Sequence, residues 1–538
     1  MAQEQEESPV AAQALAQQPE TPGEAPSFFI DIRPRVFNLP DISEHEKIDI
    51  RYPLLPPFAF AHIFWNTENK ELVYRVEEQT LTDTETELLR LIKLGLEEMI
   101  NISFAYAVKS NLIIKYLEKN VQNILMEIGA KVSRKSYQKI MYYIYRDFVG
   151  LNEIEPLMHD YFIEDIECNG EGSPIYVVHR KYQNLKTNIV YSEVKDLINF
   201  VEKLAQKAGR YVSFAKPLLD GTLPDGSRVN ATYTSDVTTH GPTFTIRKFT
   251  KEPLTPIQLM GYGTASAEVF AYLWMAVENK FNIMIIGETA SGKTTFLNSI
   301  LQFVPSEARV VSIEDTREIS LQHENWIPAV ARSGFGIPNL LGKQYGEITL
   351  FDLLRESFRQ NPDYVVVGEV RGKETYVLFQ GMASGHSSFS TFHAASVETL
   401  VRRLETPPIN LPASLVDSLD IICSVIHLKD PNRNFRRLKD LNEVIEVKQQ
   451  MGQVESNKLF EWNPAGDKIV YNGNSHILQL ISKNTGTPVK ELEIELARRA
   501  ELLRKMREQD IATNDKVSAL INLYYKDPKA VLAKFKIK

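Results

Sequence analysis

A short stretch rich in glycine, threonine and lysine, GETASGKTT, runs from Gly287 to Thr295, directly after the apolar segment FNIMII. It fits the pattern G-x-x-x-x-G-K-[ST]. Glycines let backbone N–H groups turn towards a phosphate, a lysine neutralises phosphate charge, and the hydroxyl after the lysine is a ligand for Mg²⁺. The residues predicted to form this phosphate loop are Gly287, Glu288, Thr289, Ala290, Ser291, Gly292, Lys293, Thr294 and Thr295.

Acidic side chains follow two other strand-like runs. NPDYVVVGEVR places Glu369 at a strand end, and ARVVSIEDTREI places Glu314, Asp315 and Glu318 at another. Ligands of open α/β sheets bind at the carboxyl ends of the strands, where a carboxylate can hold Mg²⁺ through water or orient an attacking water. Three carboxylates at one strand end repel one another unless a cation is near. The alternatives are an ordinary strand-end glutamate and a solvated acidic turn.

Two histidines lie in the segment GHSSFSTFHA, at His386 and His393. A histidine can donate to a terminal phosphate and respond to its loss, although a lone histidine is more often structural. The spacing is not the i, i+4 pair of a helical zinc site, so we predict no zinc here.

The elements that must position these residues follow from periodicity. Between about 265 and 430, strand-like runs alternate with helical patterns, which predicts a mainly parallel, doubly wound α/β sheet. Ahead of it, we expect a disordered acidic tail (1–27), a variable helix-containing region (28–150), a small α+β domain (151–250) and a linker (251–264). The last hundred residues are predicted to be rich in helix and to complete a domain spanning 265–538.

Composition limits the possible classes of protein. The 538 residues carry a net charge of −8, and the first 27 contain five Glu and neither Lys nor Arg. The two cysteines, Cys168 and Cys423, cannot form a thiolate zinc site and fit a reducing cytosol. No secretion signal is visible, and the weakly charged window LMGYGTASAEVFAYLWMAV is predicted to be a loop followed by a buried helix.

Taken together, GETASGKTT, SIEDTREI, RQNPDYVVVGEVRGKE and GHSSFSTFHA resemble the secretion-type ATPases of type II secretion, type IV pili and archaella. RRLETPPINLP and ENW resemble the archaeal branch. The resemblance covers about 160–445. It implies a RecA-like P-loop ATPase domain, preceded by a smaller α+β PAS-like domain, in a homohexamer with ATP between the two domains.

The resemblance also implies roles for individual residues. Glu314 is expected to position the attacking water and Glu369 to assist Mg²⁺, although these two roles could be exchanged. Thr294 and Glu369 would hold Mg²⁺ partly through water, and His386 would bind nucleotide with the phosphate loop. Arg228 and Arg247 match the arginines that the family supplies from its N-terminal domain. The predicted catalytic residues are Lys293, Glu314, Glu369, Arg228, Arg247 and His393.

The same resemblance implies a cytoplasmic protein, peripherally associated with the inner face of the cytoplasmic membrane. Its partners would be other copies of itself, a polytopic membrane platform protein and, indirectly, pilin-like subunits. A RecA-like nucleic-acid motor is the alternative, but the net acidity and the lack of an aromatic and basic strand platform argue against nucleic acid. A non-hydrolysing scaffold is a third hypothesis, against which the intact Lys293, Thr294, Glu314 and Glu369 argue.

Overall fold

The computed structural model describes residues 27–33, 35, 37, 39–40, 46–99, 110–249, 252–332, 334, 344–430, 433–448 and 453–537. The chain divides into two compact units, Met1–Lys248 and Phe249–Lys538. The predicted disordered tail lies outside the described residues except for Ser27. Within the described ranges, no helix is both long and apolar enough to cross a membrane.

One mixed sheet forms the core of the first unit. Its nine strands are β1 (Asp49–Leu55), β2 (Ala59–Asn66), β3 (Glu71–Glu78), β4 (Ile163–Cys168), β5 (Pro174–His179), β6 (Gln183–Val190), β7 (Leu218–Thr222), β8 (Arg228–Thr232) and β9 (Thr243–Arg247). They are ordered β1-β2-β3-β6-β5-β4-β9-β8-β7. All neighbours are antiparallel except β3 and β6, which are parallel.

The described part of the first unit also contains α-helices. They are α1 (Asp83–Met99), α2 (Ser110–Glu127), α3 (Arg134–Ile144), α4 (Glu155–Met158) and α5 (Val194–Lys207), and a π-helical turn (Tyr145–Val149) continues α3. Helix α5 buries Leu197, Phe200, Val201 and Leu204, whose spacing of three and four residues places them on one face.

The predicted boundary between 28–150 and 151–250 does not separate two units in the structure. Strand β3 pairs with β6 through Val73 and Tyr74, so the early strands continue the later sheet. The buried hydroxyls of Tyr52 and Tyr74 also donate to Asp160, at 2.7 and 2.6 Å. Because strand pairing and hydrogen bonds join the two regions, they fold as one unit.

The region predicted as a linker, 251–264, contains the buried helix α6 (Pro256–Gly261). Thr255 and Gln258 form a capping box at its start, and Ile257, Leu259 and Met260 are buried in the core of the second unit. Pro256 occupies the first turn of α6, where its missing N–H costs no hydrogen bond.

A second nine-stranded sheet forms the core of the second unit. Its strands are β10 (Ile283–Ile286), β11 (Val310–Glu314), β12 (Trp326–Val330), β13 (Tyr364–Val367), β14 (Ser387–Phe392), β15 (Ile421–Asp430), β16 (Arg433–Val447), β17 (Val454–Asn463) and β18 (Lys468–Tyr471). The order is β12-β11-β13-β14-β10-β15-β16-β17-β18. The six neighbouring strands in the order β12-β11-β13-β14-β10-β15 are parallel, as predicted.

Strands β16 to β18 extend this sheet in antiparallel fashion, where the sequence analysis expected mostly helix. Strand β16 carries seven charged residues in fifteen and therefore does not read as a buried strand. Three of the seven, Arg437, Asp440 and Glu443, are nevertheless buried. Each has hydrogen-bonding partners, which offset the cost of removing a charge from water.

Helices cover the parallel strands and form the end of the chain. They are α7 (Ala267–Glu278), α8 (Lys293–Leu301), α9 (Leu350–Ser357), α10 (Glu374–Ala383), α11 (Val397–Glu405), α12 (Ala413–Val416), α13 (His476–Thr485), α14 (Val489–Glu508), α15 (Asn514–Lys526) and α16 (Pro528–Lys534). Helix α7 is buried almost all round because α14 and α15 cover the side that faces away from the sheet. The second unit therefore has the predicted α/β architecture, with a mainly parallel sheet and helices packed against it.

Candidate functional site

The predicted phosphate loop connects β10 to α8, which confirms the expected order of strand, loop and helix. Gly287 lies so close to β15 that a Cβ would stand 2.3 Å from the carbonyl oxygen of Val425 and 2.6 Å from Oγ of Ser291. No side chain fits there. Ala290 and Gly292 have φ of 60° and 92°. Left-handed residues beside helical ones are typical of concavities that bind anions through backbone N–H groups.

Lys293 begins α8 with its side chain folded back over the loop. Its ammonium donates to the carbonyl oxygens of Gly287 and Glu288, at 3.2 and 2.9 Å. Burial lowers its pKa below the ordinary value, and the negative charges of Glu369 and Glu318 oppose that shift. Both carboxylates therefore lie close enough to act on the ammonium, which places the ends of three parallel strands at one site.

Glu314 is the last residue of β11 and is 2% exposed. Its Oε1 accepts from the backbone N–H groups of Glu318 and Ile319, both at 2.9 Å. Its Oε2 is buried and has no hydrogen-bond partner within the described chain. Burial raises the pKa of Glu314 to about 7, and the two backbone N–H groups only partly counter this rise.

Glu369 follows β13, and its side chain is exposed at the edge where Glu314 ends its strand. The residue before it is Gly368, and a Cβ there would lie 3.0 Å from Cγ of Glu314. The Glu314 side chain therefore packs across the backbone of Gly368. A side chain in place of Gly368 would therefore require the Glu314 side chain to shift.

The acidic turn after β11 has the cation that its charge requires. Arg371, two residues after Glu369, pairs with Asp315 at 2.9 Å. The backbone N–H of Glu318 donates to Glu314, while the exposed carboxylate of Glu318 adds to the negative charge at this turn. An arginine thus offsets part of the repulsion that the sequence suggested a metal or cation would relieve.

The two predicted histidines lie at opposite ends of β14. His393 follows the strand at the edge that carries Glu314 and Glu369, whereas His386 precedes it, about 20 Å away. The ring of His386 packs edge-on against Phe358 at 4.9 Å. Six residues of strand therefore separate His386 from the edge where the loop ends, and its binding of nucleotide stays a prediction.

Arg228 and Arg247 belong to the first unit, where β8 and β9 place them directly opposite each other. Arg228 pairs with Asp220 and Arg247 with Asp165, both at 3.1 Å. Both arginine side chains remain largely exposed. The structure brings the two predicted arginines together with each other, and their action on a nucleotide stays a prediction.

One basic residue at the loop has no recognisable motif in the sequence. Arg436, on β16, donates from Nε to the carbonyl oxygen of Ala290 at 3.2 Å. It lies 144 residues from Gly292 along the chain. Its strand was not predicted, so no local signal could have identified it.

The site's residues fit a nucleoside triphosphate with Mg²⁺. The buried Oγ of Ser291, like Oε2 of Glu314, lacks a hydrogen-bond partner among the described residues. Within the same residues, no group of three or more His, Cys, Asp or Glu side chains could hold a metal ion. Proteins commonly bind Mg²⁺ with one or two side chains and phosphate oxygens, which Thr294 and Glu369 would allow.

Comparison with known proteins identifies the family. The family profile described as "Type II/IV secretion system protein" matches residues 149–519, well over half of the chain. The chain belongs to this family. The uncharacterized protein MJ0900 of Methanocaldococcus jannaschii is 38% identical over 399 residues, which are 73% of this chain and 71% of that protein. The predicted relationship to this family, in its archaeal branch, is confirmed.

More distant members of the type II/IV secretion family are also similar. The type IV secretion system protein VirB11 of Brucella abortus is 29% identical over 242 residues, covering 39% of this chain and 64% of VirB11. The X-ray structure of the ATPase DotB of Legionella pneumophila has a TM-score of 0.39 at 16% identity, covering 67% of this chain and 91% of DotB.

Proposed function

We propose that this member of the type II/IV secretion family is a Mg²⁺-dependent ATPase. The observation that carries the proposal is the loop at the end of β10, where Gly287 leaves no room for a side chain and Lys293 begins a helix. A buried carboxylate, Glu314, ends β11, which lies three positions from β10 among the parallel strands of the same sheet. Phosphoryl transfer depends mainly on positioning and charge stabilisation, which these groups supply.

The loop would hold the phosphates. In this proposal the ammonium of Lys293 exchanges its two carbonyl partners for phosphate oxygens, and the hydroxyl of Thr294 and the carboxylate of Glu369 hold the metal. Bound Mg²⁺ would neutralise charge that develops on the phosphate oxygens. The N-terminal end of α8 adds a partial positive charge at the same place.

Glu314 would accept the proton of the attacking water. Its free Oε2 is the acceptor, and the two backbone N–H bonds to Oε1 fix the carboxylate in place. A pKa near neutrality suits a general base because the group can both take and release a proton at physiological pH. Glu369, which is exposed, is better suited to the metal. His393, at the end of β14, completes the proposed catalytic residues of this unit.

The test is ATP hydrolysis by the purified full-length protein with Mg²⁺. We expect Lys293→Ala to lower turnover at least about 100-fold, since it removes the cation beside the phosphates. Lys483→Ala, an exposed lysine on α13 of the same unit, is the matched control and should leave turnover unchanged. If wild-type protein binds ATP but turns over no faster than Lys293→Ala, the ATPase proposal is wrong and a nucleotide-gated scaffold replaces it.

We further propose that the ATPase works as a homohexamer on the cytoplasmic face of a membrane platform protein, where it drives a pilus-like filament, an archaellum or a secretion machine. Family membership supports this proposal. Chromosomal Lys293→Ala in the source organism, scored separately for swimming and for surface filaments, tests it. Loss of swimming alone indicates an archaellum motor, and loss of thin filaments alone indicates pilus assembly.

A third outcome would redirect the proposal. If swimming and filaments both survive in a strain whose protein has lost ATPase activity, export of protein or DNA becomes the better account. Stimulation of ATP hydrolysis several-fold by DNA, but not by lipid, would then favour a nucleic-acid motor over a secretion motor.

A further inference from the structure

Strand β16 reaches the phosphate loop from the antiparallel side of the second sheet. Strand β15 pairs with β10 on one side and with β16 on the other, so β16 lies two strands away from the strand that ends at Gly287. At this position Nε of Arg436 donates to the carbonyl oxygen of Ala290 at 3.2 Å. The loop is therefore held both by helix α8, which follows it, and by the side chain of Arg436 on β16.

Arg436 also packs against the second glycine of the loop. A Cβ on Gly292 would lie 3.0 Å from Cδ of Arg436, and the φ of 92° disfavours any other residue there. The stem of the arginine thus runs alongside Gly292, the residue that precedes Lys293. This course brings the guanidinium to the part of the loop that is predicted to hold phosphate.

No acid among the described residues takes up the charge of Arg436. Of the described residues, none forms an ion pair with it, whereas the adjacent Arg437 makes two 2.8 Å bonds to Asp467. A guanidinium has five N–H donors, and the bond to Ala290 uses one. The outer nitrogens of Arg436 remain as donors beside a loop whose own cation is Lys293.

We propose that Arg436 is a nucleotide-binding residue that completes the phosphate loop. Its Nε fixes the carbonyl of Ala290, and its outer nitrogens donate to the polyphosphate chain of a nucleoside di- or triphosphate. A planar guanidinium matches phosphate geometry with two parallel hydrogen bonds, which a lysine cannot do. The inference rests on the proposed nucleotide-binding function.

This role is tested by displacing a fluorescent ADP analogue from the full-length protein. The assay measures binding affinity and not turnover. The competitors are ATP and inorganic tripolyphosphate. We expect Arg436→Gln to weaken binding of both about tenfold or more, because hydrogen bonds between charged groups are lost for both. Arg436→Lys should recover part of the affinity. Lys439→Ala, an exposed lysine on the same strand, is the control and should bind as wild type does.

Three outcomes would overturn the inference. The first is that Arg436→Gln binds both competitors as wild type does. The second is that it loses affinity for ATP while its affinity for tripolyphosphate is unchanged, which would indicate a contact to the base or sugar. The third outcome is that adding Ala290→Gly to Arg436→Gln restores full affinity for both competitors. This result would mean that the arginine only positions the loop. Melting temperatures of all variants check that they fold. If wild type itself binds neither competitor, the proposed function fails and this inference fails with it.

Discussion

Glu314 combines deep burial with an unpartnered oxygen, and this combination makes its effect on stability depend on pH. Burial raises its pKa from 4.5 to about 7, so the folded protein prefers the neutral acid. Its stabilising contribution is complete below about pH 4.5 and is lost as the pH rises through about 7. We expect Glu314→Gln, which stays neutral, to be more stable than wild type at pH 8.5 by up to about 3 kcal/mol.

Thermal unfolding at pH 5 and pH 8.5 measures this effect. The difference between Glu314→Gln and wild type should be small at pH 5 and should grow towards pH 8.5. Glu324→Gln, which changes an exposed carboxylate of the same unit, should show no such growth. A difference that does not depend on pH would mean that Glu314 is charged in the folded protein throughout this range.

The same carboxylate is expected to act differently from Glu369 in turnover. If Glu314 is the base, Glu314→Gln should lower kcat by about 10²- to 10⁴-fold and leave ATP binding intact. Glu369→Gln should mainly raise the Mg²⁺ concentration needed for half-maximal activity, because its exposed carboxylate is assigned to the metal. Turnover measured against ATP and Mg²⁺ separates the two variants. The reverse pattern would exchange the two roles.

The sequence predicted the groups of the site that are close together along the chain. The loop from Gly287 to Thr295 is local, and each carboxylate follows a recognisable apolar run. His386 lies at the opposite edge of the sheet from His393 because the six residues of β14 separate them, which the spacing of the two histidines did not reveal. Arg436 was missed because its position depends on β15 lying between β10 and β16, which no spacing in the sequence encodes.

Strand β16 is stabilised by a buried carboxylate that connects four elements. Glu443 is fully buried and accepts from Tyr272 of α7 at 2.7 Å, from Asn457 of β17 at 2.8 Å and from the backbone N–H of His476 at 2.7 Å. Ser475, which caps α13, donates to it as well. The carboxylate thus satisfies donors at the start of α13 and ties that helix to the sheet.

We expect Glu443→Gln to destabilise the protein by about 2–4 kcal/mol, because the amide nitrogen cannot accept and would face donors. Urea unfolding measures the loss. Glu446→Gln, three residues further along the same strand and exposed, is the control and should fall within about 0.5 kcal/mol of wild type. A similar small change in both variants would show that water or a shifted side chain satisfies the donors around Glu443.

Elements were predicted well where apolar periodicity and burial agree. The parallel strands β10, β11 and β13 are apolar throughout or nearly so, and both their faces are covered. Strand β16 has the opposite character, since its buried charges are stabilised by partners from other elements. Helix α6 was hidden because proline in the first turn of a helix resembles proline in a linker.

Over the full chain, the α/β class and the family followed from the sequence, whereas the extent of the first unit did not. The pairing of Val73 with Lys186 joins residues 113 positions apart. Val73 lies in the region predicted to contain helices, whereas Lys186 lies in the region predicted to form a small α+β domain. Asp160, which receives the hydroxyls of Tyr52 and Tyr74, forms a second link of the same kind. Contacts of this range depend on the completed sheet and leave no periodic signal.

The first unit is expected to contribute to turnover through Arg228 and Arg247. Like charges directly opposite each other in an antiparallel pair repel, and Asp220 and Asp165 offset this repulsion. Removing either arginine should therefore leave the melting temperature nearly unchanged, so that a kinetic effect can be interpreted. We expect Arg228→Ala or Arg247→Ala to lower kcat about 100-fold or more and to change KM little, because an arginine at the terminal phosphate acts mainly on the transition state.

Steady-state kinetics and nucleotide affinity of the full-length variants check this expectation. Arg75→Ala, an exposed arginine on β3 of the same sheet, is the matched control and should behave as wild type. Equal losses in kcat and in ATP affinity would mean that the arginines bind nucleotide in the ground state. Unchanged kinetics in both variants would restrict the chemistry to the second unit, and the charge that stabilises the transition state would then have to come from Lys293 and its neighbours in that unit.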